Sequence, residues 1–201
     1  MFISDRARGG AWGNVRDVGV ALRGTTARMD VQAGAFNGAG EGQNAADRNT
    51  GKYLVGRVVG RPGIPGLHAG FSGLHGGAGS TSDPVRRRFG ADVQYARRNL
   101  VVRSEFVTGT DGDIPRRGHY EYLGFKPVPA FELTLRHDVW DPDRRKDSSI
   151  ADALTRDDLL GFNYFLQDHY AKVQVNVTRR TFQAAALRPA ILLNLGVQTA
   201  W

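Results

Sequence analysis

The residues most able to do chemistry are basic side chains set into runs where apolar residues recur at every second position. Arg57, Arg61, Arg88, Arg103, Arg136 and Lys172 would share one face of an extended, paired chain. Cations gathered on one side of a sheet raise the local anion concentration and replace part of an ion's hydration shell, which is the chemistry of an anion-contacting pore lining. Glu105, Glu132, Asp92 and Asp138 fall on the same face. They offer a plainer outcome, a salt-bridge lattice that neutralises the arginines, and for any single arginine the lattice is the leading expectation.

Other constellations invite chemistry and have simpler accounts. Asp138, Asp141 and Asp143 in DVWDPD suggest calcium, but no glutamate completes the EF-hand spacing and Pro142 signals a turn. His119 with Glu121, and His137 beside Asp138, lack a third ligand at metal spacing; aromatic-belt or lumenal polar roles account for them. GLHGGAGS at 73–80 has no helix after it to present an amino end to phosphate. Ser104 is a serine placed mid-strand and outward, with no histidine beside it by parity. No catalytic residue, metal site or cofactor is therefore expected. The basic clusters Arg86–Arg88 and Arg144–Lys146 fall at or in outer loops, to bind an anionic surface such as lipopolysaccharide or simply to be solvated.

Strands must position these side chains. Alternating runs of roughly eight to fourteen residues recur at 16–23, 28–36, 52–61, 66–74, 85–96, 100–108, 117–126, 130–139, 157–166, 170–179 and 190–201. Short turns lie near GTTA, PGIPG, RRN, PVP and QDH. Long loops at 37–51, 75–84, 109–116, 140–156 and 180–189 alternate with them. Short turns on one side and long loops on the other describe an antiparallel transmembrane β-barrel, with about eleven strands present. The final run alternates to its last residue, Trp201, which suits an apolar band with an aromatic girdle better than a frayed polar terminus. The aromatics Trp12, Trp140, Trp201, Tyr95, Tyr120, Tyr122, Tyr164 and Tyr170 are assigned to such girdles, not to nucleic-acid stacking.

Facing follows from the cost of arginine against lipid, about 2–4 kcal/mol at mid-membrane. Phe89, Ala91, Val93, Tyr95, Leu100, Val102 and Phe106 go outward, as do Phe131, Leu133, Leu135 and Val139, and Ala171, Val173, Val175 and Val177. In KYLVGRVVGR the same cost turns Tyr53, Val55, Arg57, Val59 and Arg61 inward and leaves Leu54, Gly56, Val58 and Gly60 outward.

Bulk properties agree. The chain has 201 residues, a mean hydropathy of -0.37 and no long apolar run, so a helical span is excluded while a barrel is not. The absence of cysteine excludes disulfides and thiolate metal sites. Net charge is +7, and of 27 basic residues only Lys52, Lys126, Lys146 and Lys172 are lysines. Arginine's planar fork suits phosphate or carboxylate; codon bias in a GC-rich genome explains the excess equally well. MFISDRARGG lacks the apolar core of a secretory signal, so the signal has been removed or the chain begins partway through a gene. Residues 1–15 are expected to be loop or disordered remnant, and the whole of 1–201 is one barrel region without a second domain.

RDVGVALRG at 16–24, DVQAGAFNGAG at 30–40, FELTLRHDVWDPD at 131–143 and LLGFNYFLQDHYAKVQVNV at 159–177 together resemble the phosphate-selective porin O and P family. The ending looks like the carboxyl-terminal signal read by the barrel-assembly machinery, with Asn194, Gly196 and Trp201 in the expected places and Thr199 departing from the usual apolar residue. The resemblance implies a sixteen-stranded, usually trimeric barrel in the bacterial outer membrane, passing phosphate or similar small anions. It places this chain as the later part of such a barrel, truncated at the amino end. An open sheet of about eleven strands would leave on the order of ten unpaired backbone groups in lipid, at several kcal/mol each, so closure needs further strands. The competing functions are an outer-membrane barrel enzyme such as a lipid hydrolase, and a soluble β-sandwich binding module, whose turns would not sort by side.

Overall fold

A run with period two has one apolar and one polar side, and pairing it with a neighbour of the same rhythm satisfies its backbone while keeping both sides pure. The computed structural model describes residues 18–37, 51–77, 85–167 and 171–199. Within them lie β1 (Gly19–Thr25), β2 (Met29–Phe36), β3 (Tyr53–Gly60), β4 (Leu67–Gly77), β5 (Val85–Arg97) and β6 (Leu100–Asp111). β7 (Ile114–Val128), β8 (Phe131–Asp141), β9 (Thr155–Gln167), β10 (Ala171–Phe182) and β11 (Ala190–Thr199) complete the series. They form one eleven-stranded antiparallel sheet in sequence order. Among the described residues β1 pairs only with β2 and β11 only with β10, so the sheet is not closed. All eleven expected strands are present, and among the described residues they make one sheet.

The connections differ from expectation at one place. Residues 109–116 were expected to be a long loop, but β6 and β7 run on until Asp111 faces Ile114, leaving a turn of Gly112 and Asp113. Gly112 has φ 61°, the left-handed region glycine enters without strain. The segment is polar on both sides, so it carries no hydrophobic alternation; ion pairs described below hold it to the sheet instead.

Burial is inverted relative to an ordinary soluble domain. On one face Val20 and Leu22 are 74% and 77% exposed, and Ile191, Leu193, Leu195 and Val197 lie between 64% and 76%. On the other face Glu105, Glu132, Thr134, Asn163 and Thr178 are buried. Buried polar and exposed apolar residues are the informative departures from the usual pattern. The register gives Arg57 the partners Gln32 and Ser72, which places it on the charged face with Tyr53, while Leu54 and Val58 are exposed on the apolar face, as expected.

Three aromatics depart from the girdle assignment. Tyr120, Tyr122 and Trp140 lie on the charged face, Trp140 with its ring over Gly118 at a distance that would put an added Cβ 2.8 Å away. Tyr164 stays on the apolar face, close in register to Phe131 and Phe162, whose rings meet edge-on at 3.9 Å. Trp12, Tyr170 and Trp201, residues 1–15, most of the 37–51 loop, 78–80 of GLHGGAGS and most of the QDH turn lie outside the described residues.

Candidate functional site

On the charged face the staked cations meet carboxylates that the parity of neighbouring strands delivers. Arg57 on β3 donates from Nη2 to Asp92 on β5 at 2.9 Å, spanning β4 above Gly70. A Cβ at Gly70 would lie 2.5 Å from the Asp92 carboxylate and 2.7 Å from the guanidinium, so the missing side chain is what lets two second-neighbour strands join. Arg61 reaches Asp30 on β2. Arg88 donates to Asp111 at 2.8 Å, and Arg116 approaches the same carboxylate at 3.4 Å, which fastens the β6–β7 hairpin. Arg136 forks onto Asp138 at 2.6 and 3.0 Å. Arg180 donates to its register partner Asp157 at 2.7 Å.

Glu132 anchors a second, uncharged-donor network. It accepts from the Tyr122 hydroxyl and the Asn163 amide, each at 3.0 Å, with the Lys126 ammonium 3.8 Å away. Gln174 donates to Asn163 at 2.7 Å, extending the chain of bonds from β7 to β10. Arginine planes also cover aromatic rings: Arg136 lies 4.6 Å from the Tyr120 centroid and Arg103 5.5 Å from that of Tyr122.

The six staked cations therefore divide. Arg57, Arg61, Arg88 and Arg136 belong to the lattice. Arg103 and Lys172 have no carboxylate partner among the described residues, and Arg103 carries a buried Nε without an acceptor. Asp30, Asp157, Tyr120 and Asn163 were missed, although the same parity that found Asp92 would have found them; Asp111, Arg116 and Arg180 lie in segments that read as loops, where parity gives no facing. No protein-family model, characterised protein or solved structure matches the chain.

Asn194 and Gly196 of the expected assembly signal sit on the charged face, opposite Asn176 and Gln174; Trp201 is outside the described residues. The basic clusters also resolve. Arg88 and Arg86 turn to the charged face, Arg86 lying 5.9 Å from the Tyr53 centroid, so they are not loop residues free to meet a surface. In the 142–154 connection Arg145 forks onto Asp143 at 2.9 Å through each of two nitrogens. That guanidinium and the Arg145 backbone N–H hold the Asp143 carboxyl down to about 2. The connection packs as a cap: Ala153, Leu154 and Ala184 are buried, and Gln183 donates its backbone N–H to Leu154. Beside it, a recess of about 410 Å³ is lined by Trp140, Pro142, Ile150, Thr155, Phe182 and Leu187. Asp138, Asp141 and Asp143 do not converge on a cation, because each faces its own arginine: Arg136, Arg117 at 3.9 Å, and Arg145.

Of the two roles expected for the histidines, belt or lumen, the register gives the belt side, and it brings His119, Glu121 and His137 together although spacing along one strand shows no third ligand. His119 and His137 face neither the lattice nor Asp138; both are on the apolar face, and His137 meets Asp158 there. Glu121 separates Ser104 from His137 in register, with His119 one pair diagonally from Ser104.

Proposed function

We propose that the chain is part of an outer-membrane porin of the phosphate-selective O and P type, through which small anions diffuse across the bacterial outer membrane. One observation carries the reading: a sheet of eleven strands exposes its apolar side chains on one face and buries ion-paired polar ones on the other. Such a sheet is stable where one face meets hydrocarbon and the other lines water. No helix among the described residues is long and apolar enough to cross a membrane.

In this reading the free edges of β1 and β11 are completed by further strands, because unpaired backbone groups in lipid cost several kcal/mol each. The lattice braces the wall, and Arg103 and Lys172, which have no carboxylate partner among the described residues, supply the positive potential that enriches phosphate or similar anions. Homotrimer formation, contact with lipopolysaccharide and insertion by the barrel-assembly machinery belong to the same proposal.

Planar-bilayer recording of the protein under a potassium chloride gradient tests it. The expected result is discrete conductance with a reversal potential of anion preference, reduced when phosphate competes with chloride. Cation preference would remove the role given to Arg103 and Lys172. Failure to conduct in bilayers that accept the folded protein would remove the pore.

A further inference from the structure

The register sets Ser104, Glu121, His137, Asp158 and Arg179 in a single row across β6 to β10 on the apolar face. His119 stands beside that row on β7, its ring centroid 6.2 Å from that of His137. One nitrogen of each histidine and a carboxylate oxygen of Glu121 all lie within 4.8 Å of one another. Apolar residues enclose the group: Phe106 and Val139 flank His119 in register, and Leu123 pairs with Leu135 on the other side of the row. Ionisable side chains in an apolar belt are costly and mark a function more often than chance placement.

We propose that His119, Glu121 and His137 bind a divalent transition-metal ion of the zinc class, with Asp158 as the positioning residue. Two imidazoles and one carboxylate form a borderline donor set that suits zinc and leaves a fourth position open. Asp158 supplies an independent sign of such a site. Its Oδ1 accepts from His137 Nδ1 at 2.7 Å, which fixes the tautomer and leaves Nε2 to coordinate, the usual arrangement behind a metal-bound histidine. Arg179 stands opposite Asp158 in register.

Metal bonds of about 2.0–2.2 Å put tetrahedral ligands about 3.4 Å apart, so the donor atoms must draw together by roughly 1.4 Å. Glu121 is exposed and its side chain can rotate that far. Bound this way the ion ties β7 to β8 on the face where their apolar rows are interrupted. The site follows from the sheet register alone and holds whether or not the opposite face conducts anions.

The test uses the whole chain folded in detergent micelles, stripped with a chelator and titrated with Co²⁺, then with Zn²⁺ as competitor. One Co²⁺ per chain with a visible d–d spectrum of low coordination number, displaced by zinc, is expected. Glu121→Gln and His137→Gln should weaken binding by more than about 100-fold, and Asp158→Asn by about 10–100-fold with the spectrum retained. Far-UV circular dichroism reports whether each variant keeps its strands. If His137→Gln does not fold, Glu121→Gln, an exposed change, decides. Absence of stoichiometric binding, or binding of the same strength in folded Glu121→Gln, overturns the site.

Discussion

Removing Arg57 should destabilise the sheet without being what sets ion preference. Its guanidinium and the Asp92 carboxylate are 13% and 21% exposed, 2.7 Å apart at their closest, and lie over Gly70. In Arg57→Met the carboxylate keeps its site but loses its cation. Breaking a fully buried pair costs about 3–5 kcal/mol; the residual exposure of Asp92 brings the expectation to about 2 kcal/mol, roughly thirtyfold in the folding equilibrium. In Arg57→Met/Asp92→Leu both charges are gone and stability should return to within about 1 kcal/mol of the parent. Urea unfolding in vesicles, followed by tryptophan fluorescence, gives both values. The double variant removes a net-neutral pair, so its reversal potential under a chloride gradient should match the parent. Lys172→Gln, which removes a cation without a described carboxylate partner, should shift that potential toward zero. The reasoning is refuted if Arg57→Met is as stable as the parent, or if the double variant loses as much anion preference as Lys172→Gln.

Leu135→Arg tests the apolar face: Leu135 is 52% exposed and its register partners are Leu123 and Leu160. A bilayer-facing arginine should cost about 2–4 kcal/mol in vesicle unfolding, whereas a water-facing one should cost almost nothing, so a neutral result would place this face in water. Asp143 gives a pH dependence with a definite sign. Its folded carboxyl titrates at about 2 against an ordinary 3.8, so its contribution to the 142–154 cap is present above about pH 4 and lost as the pH falls through 2. Hydrogen-exchange protection of that connection should drop over this window in the parent and lose the transition in Asp143→Asn; an identical acid profile in both would refute the assignment.

Strand positions were legible because an apolar residue at every second place is a strong signal wherever one face must differ from the other. Arg57 and Arg61 were turned to the charged face by charge cost alone, against a strand where both parities carry apolar residues, and Asp92 and Asp30 prove to be waiting there. The 109–116 segment was illegible for the converse reason. Thr110, Asp111, Asp113 and Arg116 are polar on both sides, and what orders them is Asp111 shared by Arg88 and Arg116, a contact between positions far apart in sequence. The cluster of His119, Glu121 and His137 was hidden in another way. Spacing along one strand shows at most two ligands, and the third arrives by cross-strand register, since His137 is opposite Glu121. His137 also shares parity with Leu133, Leu135 and Val139, which was sufficient to send it to the apolar face.

Glycine explains how a lattice of short carboxylates can brace a wide sheet. Aspartate and arginine on adjacent strands pair without help, as Arg180 and Asp157 do. Pairing across an intervening strand requires that strand to present nothing, and Gly70 does so beneath Arg57 and Asp92. Gly161 leaves similar room between Thr134 and Asn176, where a Cβ would stand 2.1 and 2.4 Å from their polar oxygens. Both glycines are on the charged face, directly opposite Asp92 and Thr134. A side chain at Gly70 would push Arg57 and Asp92 apart and leave both without partners, and one at Gly161 would displace the Thr134 and Asn176 side chains. The charged face is therefore held by what Gly70 omits as much as by the arginines, and the same omission keeps the guanidinium of Arg57 bound to a carboxylate instead of free to meet an ion.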